Sequence, residues 1–185
     1  MSRTGRDHVQ AETARQDAAL AALVEGVPYI VFLGIRFDRR GDELTAVLPF
    51  APRLIGNPLL PALHGGAIAA FLEVAAIVEL AWTTGPAADR LAASSAGPGS
   101  SSVHGRVHGA ETGDKSSFRR PTLPRTIDFS VDYLRSGLPR DAYARARVNR
   151  SGRRYASVHV EAWQAHRDRL FAQATGHFLM PPRGG

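Results

Sequence analysis

Leu63-His64-Gly65-Gly66-Ala67-Ile68-Ala69-Ala70-Phe71-Leu72-Glu73-Val74-Ala75-Ala76-Ile77-Val78-Glu79-Leu80-Ala81-Trp82 is apolar after Gly66 except for two carboxylates. A surface helix keeps a polar face, so this run reads as a helix wrapped by protein on nearly all sides. An ionised carboxylate such as Glu73 in that setting costs several kcal/mol unless it is partnered or functional. Gly65 and Gly66 at the helix start let a ligand approach free backbone N–H groups with no side chain in the way. The stretch thus combines an anion-stabilising helix end with a candidate carboxylate base.

Downstream, period-2 alternation marks four strands. Ile127, Phe129, Val131 and Tyr133 share one face, as do Ala142, Ala144, Ala146 and Val148. Ala156, Val158, Val160 and Ala162 form a third set, and Leu170, Ala172, Ala174, Gly176 and Phe178 a fourth. Turns at Ser136-Gly137, Ser151-Gly152 and His166 to Arg169 keep the connections short, so the strands are antiparallel neighbours. Three of the strands present mostly Ala and Val, which lets an Ala-rich helix come close. The expected fold is α+β, an antiparallel sheet curled around the 67–82 helix.

Upstream, Gly34 to Asp38 and Glu43 to Phe50 read as a hairpin through Arg40-Gly41-Asp42, and Pro52 to Pro61 reads as a loop. Asp7 to Glu25 reads as a weakly amphipathic helix ending at Gly26 before Pro28. Ala93 to Ser102 is low in complexity, and about 85–122 reads as a flexible insertion. The expected organisation is an N-terminal helical extension over 1–26 and one domain over 27–182 carrying that insertion. His104 and His108 have metal-like spacing but no acidic partner to go with them, so no metal site is expected.

A chain of 185 residues with 44% hydrophobic content supports one domain. Its net charge of +6 comes from 23 basic and 17 acidic residues, with Lys115 the only lysine. Arg offers a planar fork suited to phosphate, so a phosphorylated ligand is natural, while no exposed aromatic stripe points to nucleic acid. The absence of Cys excludes disulfides, thiolate zinc sites and a Cys nucleophile. No secretory signal is visible, and the apolar helix, short and broken by Glu73, reads poorly as a membrane span. Cytoplasm is the expected location. Gly-x-Ser-x-Gly, Walker and complete Gly-x-Gly-x-x-Gly motifs are missing.

Leu63-His64-Gly65-Gly66, the carboxylate at 73, Thr126-Ile127-Asp128-Phe129-Ser130-Val131-Asp132-Tyr133-Leu134-Arg135 and Gly152-Arg153-Arg154 together resemble the PaaI-type thioesterases of the hotdog superfamily. The likeness covers about 28–83 and 123–180. It implies an acyl-CoA thioesterase acting as a homodimer or dimer of dimers, with no cofactor beyond the coenzyme A of the substrate. Gly65 and Gly66 would then offer N–H groups to the thioester carbonyl, where the helix end carries partial positive charge.

Glu73 lies nine residues after His64, about two and a half turns and 13 Å along a helix. One helix cannot bring both to one carbonyl, and the resemblance implies that the carboxylate comes from the neighbouring subunit. Glu73, longer than the family's common Asp, would act as general base or as nucleophile, in apolar surroundings that favour its neutral form. A structural Glu paired to Arg135 is the alternative. His64 would cap the helix or line the carbonyl site.

Asn57 resembles the family Asn, though seven positions precede His64 here where six is commoner. Thr126 matches a Ser/Thr position that orients the attacking water, and alternation places it opposite Ile127 and Phe129. Leu63, with Leu59, Leu60 and Phe71, would line an acyl pocket or the core. Arg135, Arg153 and Arg154 are candidates for the coenzyme A phosphates. An acyl-thioester hydratase or dehydratase, and a non-catalytic acyl-CoA-binding or regulatory protein, are the rival readings. Neither nucleic acid nor membrane is an expected partner.

Overall fold

A computed structural model describes residues 3–84 and 123–182. The proposed insertion, with His104 and His108, lies outside the described residues. Helix α1 (Arg3–Glu25) is followed by α2 (Pro28–Leu33), then strands β1 (Arg36–Arg40) and β2 (Glu43–Leu48). A 3-10 turn (Pro52–Leu54) leads to β3 (Ile55–Asn57), β4 (Leu60–Leu63) and α3 (Gly65–Thr84). Strands β5 (Arg125–Tyr133), β6 (Ala142–Ser151), β7 (Tyr155–Trp163) and β8 (Ala172–Leu179) complete the set.

Six strands form one antiparallel sheet in the order β1-β2-β6-β7-β8-β5, and β3 pairs with β4 separately. The expected α+β hotdog arrangement is present, with α3 packed across the inner face of the large sheet. Ala142, Ala144, Ala156, Ala162, Ala172 and Ala174 are buried there, against a helix that buries Ala75 and Ala76. Small residues on both sides bring the backbones together. Larger anchors, Phe71, Leu72, Val78 and Leu80, are fully enclosed, each worth about 1.5–3 kcal/mol of transfer free energy. By length and composition α3 could cross a membrane, with mean hydropathy 1.7 over an 18-residue window, contrary to its reading as too short. Half of it is buried against protein.

Two elements went unread in the sequence. Helix α2 has Pro28 in its first turn and ends at Gly34 in the left-handed region, whose N–H bonds Val31 O. Its six residues are too few to show periodicity. The Pro52–Pro61 loop contains the β3–β4 hairpin, closed by the Leu59 N–H donating to Asn57 Oδ1 at 2.9 Å. Elsewhere the chain follows expectation: the Arg40–Asp42 turn places Gly41 at φ 61°, and Leu20 and Leu23 carry the end of α1 into the core.

Strand β5 departs from simple alternation. It lies at the sheet edge, with β8 its only ladder neighbour among the described residues, and its register shifts between Thr126 and Asp128. Ile127 is the extra residue of this bulge and is 56% exposed, not turned inward with Phe129. Thr126 pairs with Phe178 and Phe129 with Gly176, two inward positions of β8. The bulge therefore puts Thr126 on the same face as Phe129, against the alternation that had placed it opposite.

Candidate active site

His64 is the residue before the first turn of α3, and its ring caps that turn: Nδ1 accepts from the Gly66 N–H at 2.9 Å. A backbone N–H can only donate, so the proton of the neutral imidazole sits on Nε2. Gly56 makes the ring's seat, because a Cβ there would lie 2.5 Å from His64 Cδ2. Upstream, the His64 N–H donates to Leu54 O at 2.7 Å and the Leu63 N–H to Gly137 O at 2.8 Å. Of the two roles expected for His64, capping the helix or lining the carbonyl site, this hydrogen bond is the first.

That cap changes the donor count. Gly66 N–H, expected to face the substrate carbonyl, is engaged by His64. Gly65 N–H has no intramolecular acceptor among the described residues. Its carbonyl oxygen accepts from the Tyr133 hydroxyl at 2.8 Å. One free N–H at a helix N-terminus, where partial positive charge concentrates, is a donor aimed at an incoming oxygen.

Two turns further on, the Thr126 hydroxyl donates to Glu73 Oε1 at 2.6 Å. Because that hydroxyl engages Oε1, Oε2 is left to reach for a proton or an electrophile. Glu73 is half-buried and hydrogen-bonded, not wrapped in apolar side chains as its neighbours in the sequence suggested. It makes no ion pair with Arg135, the structural alternative. Glu79, six residues after Glu73 on α3, has its pKa raised by desolvation from 4.5 to about 7.

Strand β5 touches both parts of the site. Thr126 at its start reaches Glu73, and Tyr133 at its end reaches Gly65. Gly65 and Glu73 are eight residues apart, about 12 Å along the axis, so one chain does not join them at one carbonyl.

The remaining candidates scatter. Asn57 spends its side-chain oxygen on the hairpin turn. Leu63 is 6% exposed and Phe71 fully buried, which makes them core, whereas Leu59 and Leu60 are exposed. Arg153 and Arg154 line a groove of about 470 Å³ with Arg150, Tyr155, Ser157 and His177. Arg135 sits beyond the opposite end of β5, where its N–H bonds Phe171 O, so it does not join them within one chain. Tyr133, which alternation places on the face of Phe129 and Val131, is a site residue that no motif in the sequence marks. Its seven-residue spacing from Thr126 would put the two on opposite faces of a regular strand, and only the bulge reconciles them. Among the described residues no group of three His, Cys, Asp or Glu side chains gathers as a metal site would need.

Residues 60–170 match the family model of the thioesterase superfamily. A solved protein from Chromobacterium violaceum is 30% identical, with a TM-score of 0.55 over 93% of this chain and 97% of that one. A Shewanella oneidensis protein related to the thioesterase superfamily is 21% identical, with a TM-score of 0.61 over 92% of this chain and 98% of its own. A phenylacetic acid degradation-related protein from Ralstonia eutropha JMP134 is 18% identical, with a TM-score of 0.55 over 87% and 98%. The last two bear on the fold alone. No curated protein matches the chain.

Proposed function

The chain belongs to the thioesterase superfamily, and on that premise we propose that it hydrolyses acyl-CoA thioesters to a carboxylate and free coenzyme A. The observation that carries this reading is the division of labour along α3: a free Gly65 N–H at its start and a Thr126-bonded Glu73 two turns later. In this reading Gly65 N–H holds the thioester carbonyl oxygen and Glu73 Oε2 takes a proton from water. The water oxygen attacks the carbonyl carbon, and the electron pair moves onto the oxygen near Gly65, where charge-matched donors count most. Collapse breaks the C–S bond, and the coenzyme A thiolate takes up the proton. In the other route Glu73 Oε2 attacks first, and water then cleaves the mixed anhydride.

A homodimer, or a dimer of dimers, completes the site. The edge of β5 that has no ladder partner among the described residues, with exposed Ile127, supports it. So does the half-buried stripe Ala69, Ala70, Glu73 and Ile77, which lies on one helix face at i, i+3 and i+4 spacing. A second copy across this edge would bring its Glu73 toward this chain's Gly65. The Arg150, Arg153 and Arg154 groove suits the phosphates of coenzyme A. Beyond coenzyme A in the substrate, the proposed chemistry calls for no cofactor.

The test is release of free thiol from a panel of acyl-CoAs, comparing wild type with Glu73→Ala and Glu73→Gln. Loss of a general base lowers the rate about 10²–10⁴-fold, and both variants are expected to show it. Binding without turnover would favour a regulatory acyl-CoA-binding protein. In a single turnover in H₂¹⁸O, label in Glu73 establishes the anhydride route with water attacking the Glu73 carboxyl carbon, because the general-base route places the water oxygen only in the product acid.

A further inference from the structure

We infer that Tyr133 is a positioning residue that aims the Gly65 N–H by gripping the Gly65–Gly66 peptide; this rests on the thioesterase reading above. The Tyr133 hydroxyl donates to the oxygen of that peptide at 2.8 Å, and its N–H donates to His64 Nδ1 at 2.9 Å. One peptide plane is held at both poles. It lies between two glycines, whose backbone torsions no side chain restrains. On the upstream side the plane that carries the Gly65 N–H has its oxygen, His64 O, held by the Ile68 N–H at 3.1 Å. With both flanking segments anchored, the torsions of Gly65 are set, and so is the direction of its free N–H. Rotation of the Gly65–Gly66 plane would instead carry a carbonyl oxygen toward the place where negative charge develops.

The fit between the two residues is specific. The three atoms nearest a Cβ added at Gly65 all belong to Tyr133, at 3.3, 3.4 and 3.5 Å. The phenol therefore lies over the bare Cα of Gly65, and glycine there admits the tyrosine as well as a substrate. Tyr133 is 52% exposed, so filling the core is not its task. Alternation with Phe129 and Val131 turns it to α3, and the bulge at Ile127 brings Thr126 onto that same face.

Tyr133→Phe keeps the ring and removes the hydroxyl. The expected result is a roughly 10-fold fall in kcat for acyl-CoA hydrolysis, with KM within about twofold and little change in Tm. Amide exchange at Gly66 should quicken while the β7 amides keep their protection. In the Glu73→Gln background, a ¹³C-labelled acyl-CoA carbonyl should show a smaller downshift of its stretching frequency when Tyr133→Phe is added. Unchanged kcat in Tyr133→Phe, set against an active wild type, would overturn the inference and leave the thioesterase reading standing. A parallel loss of Tm and kcat with the carbonyl frequency unmoved would reduce Tyr133 to a fold contact and overturn it too. A wild type that turns over none of the acyl-CoAs would instead sink the functional reading on which the inference stands.

Discussion

Glu73 and Glu79 occupy the same helix, six residues apart, and meet opposite treatment. Glu73 sits half-buried on the stripe beside the edge strand β5, where the Thr126 hydroxyl reaches its Oε1. Glu79 has no hydrogen bond or ion pair from its side chain among the described residues, and burial alone pushes its pKa to about 7. Perturbed titration is often taken as a mark of function, yet desolvation without a partner needs no function to explain it. The difference lies in company. A carboxylate that must handle a proton or attack a carbonyl needs an oriented oxygen and an open side. Glu73 has both, and Glu79 has only the loss of water.

Substitutions along α3 sharpen that contrast. The largest effect is expected from Glu73→Gln, which keeps the Thr126 contact and removes the basic oxygen, for a loss of at least about 10² in kcat without a fall in Tm. Gly65→Pro deletes the free N–H at the first helical position, where proline is best tolerated, and should cost about 10²–10³ in rate. Thr126→Val removes the hydroxyl donor from Glu73 and should lower kcat by roughly 10-fold, as loss of a hydrogen bond to a charged group implies. If Thr126→Val proved as damaging as Glu73→Gln, the hydroxyl itself would be touching the reacting atoms.

The smallest effect on turnover is expected at Glu79, where the readout is stability. Its folded-state pKa is raised from 4.5 to about 7. Below 4.5 the group is protonated whether folded or not, and costs nothing. As pH rises from there to 7 the unfolded chain ionises first, so stability falls, and above 7 the full loss is present. Glu79→Gln should flatten this slope and raise stability at pH 8, on the order of 1–2 kcal/mol after allowance for partial exposure. Denaturant titrations at pH 5 and pH 8 measure it, and acyl-CoA turnover should stay near the wild-type value. A large loss of turnover in Glu79→Gln would erase the distinction between the two acids.

Much of the fold was legible because burial writes itself into sequence at fixed periods. Ala142 and Ala144, then Ala156 to Ala162, then Ala172 and Ala174 alternate as inward positions of central strands must, and the helix showed in its lack of a polar face. The β3–β4 hairpin and α2 were too short, and too rich in Pro and Gly, for any period to emerge. The site was legible in its residue types and less so in its geometry. His64, Gly65 and Glu73 could be named. That His64 would take the Gly66 N–H depended on Gly56 lying across the hairpin. One bulge residue, Ile127, turned Thr126 onto the face that alternation had already given Tyr133, and a single inserted residue leaves no trace in composition. Which of two glutamates lost its water depended on helix rotation against the sheet, a tertiary fact.

The composite site across two protomers is tested most directly by mixing two inactive variants. Glu73→Gln and Gly65→Pro proteins, each purified alone, are unfolded together, refolded, and assayed for acyl-CoA hydrolysis. If each site draws Gly65 from one chain and Glu73 from the other, every mixed dimer holds one intact site. Random pairing should then restore about a quarter of wild-type activity, half the dimers being mixed and each having one working site of two. Activity that stays at the level of the separate variants, with mixed dimers demonstrably present, would contradict the account.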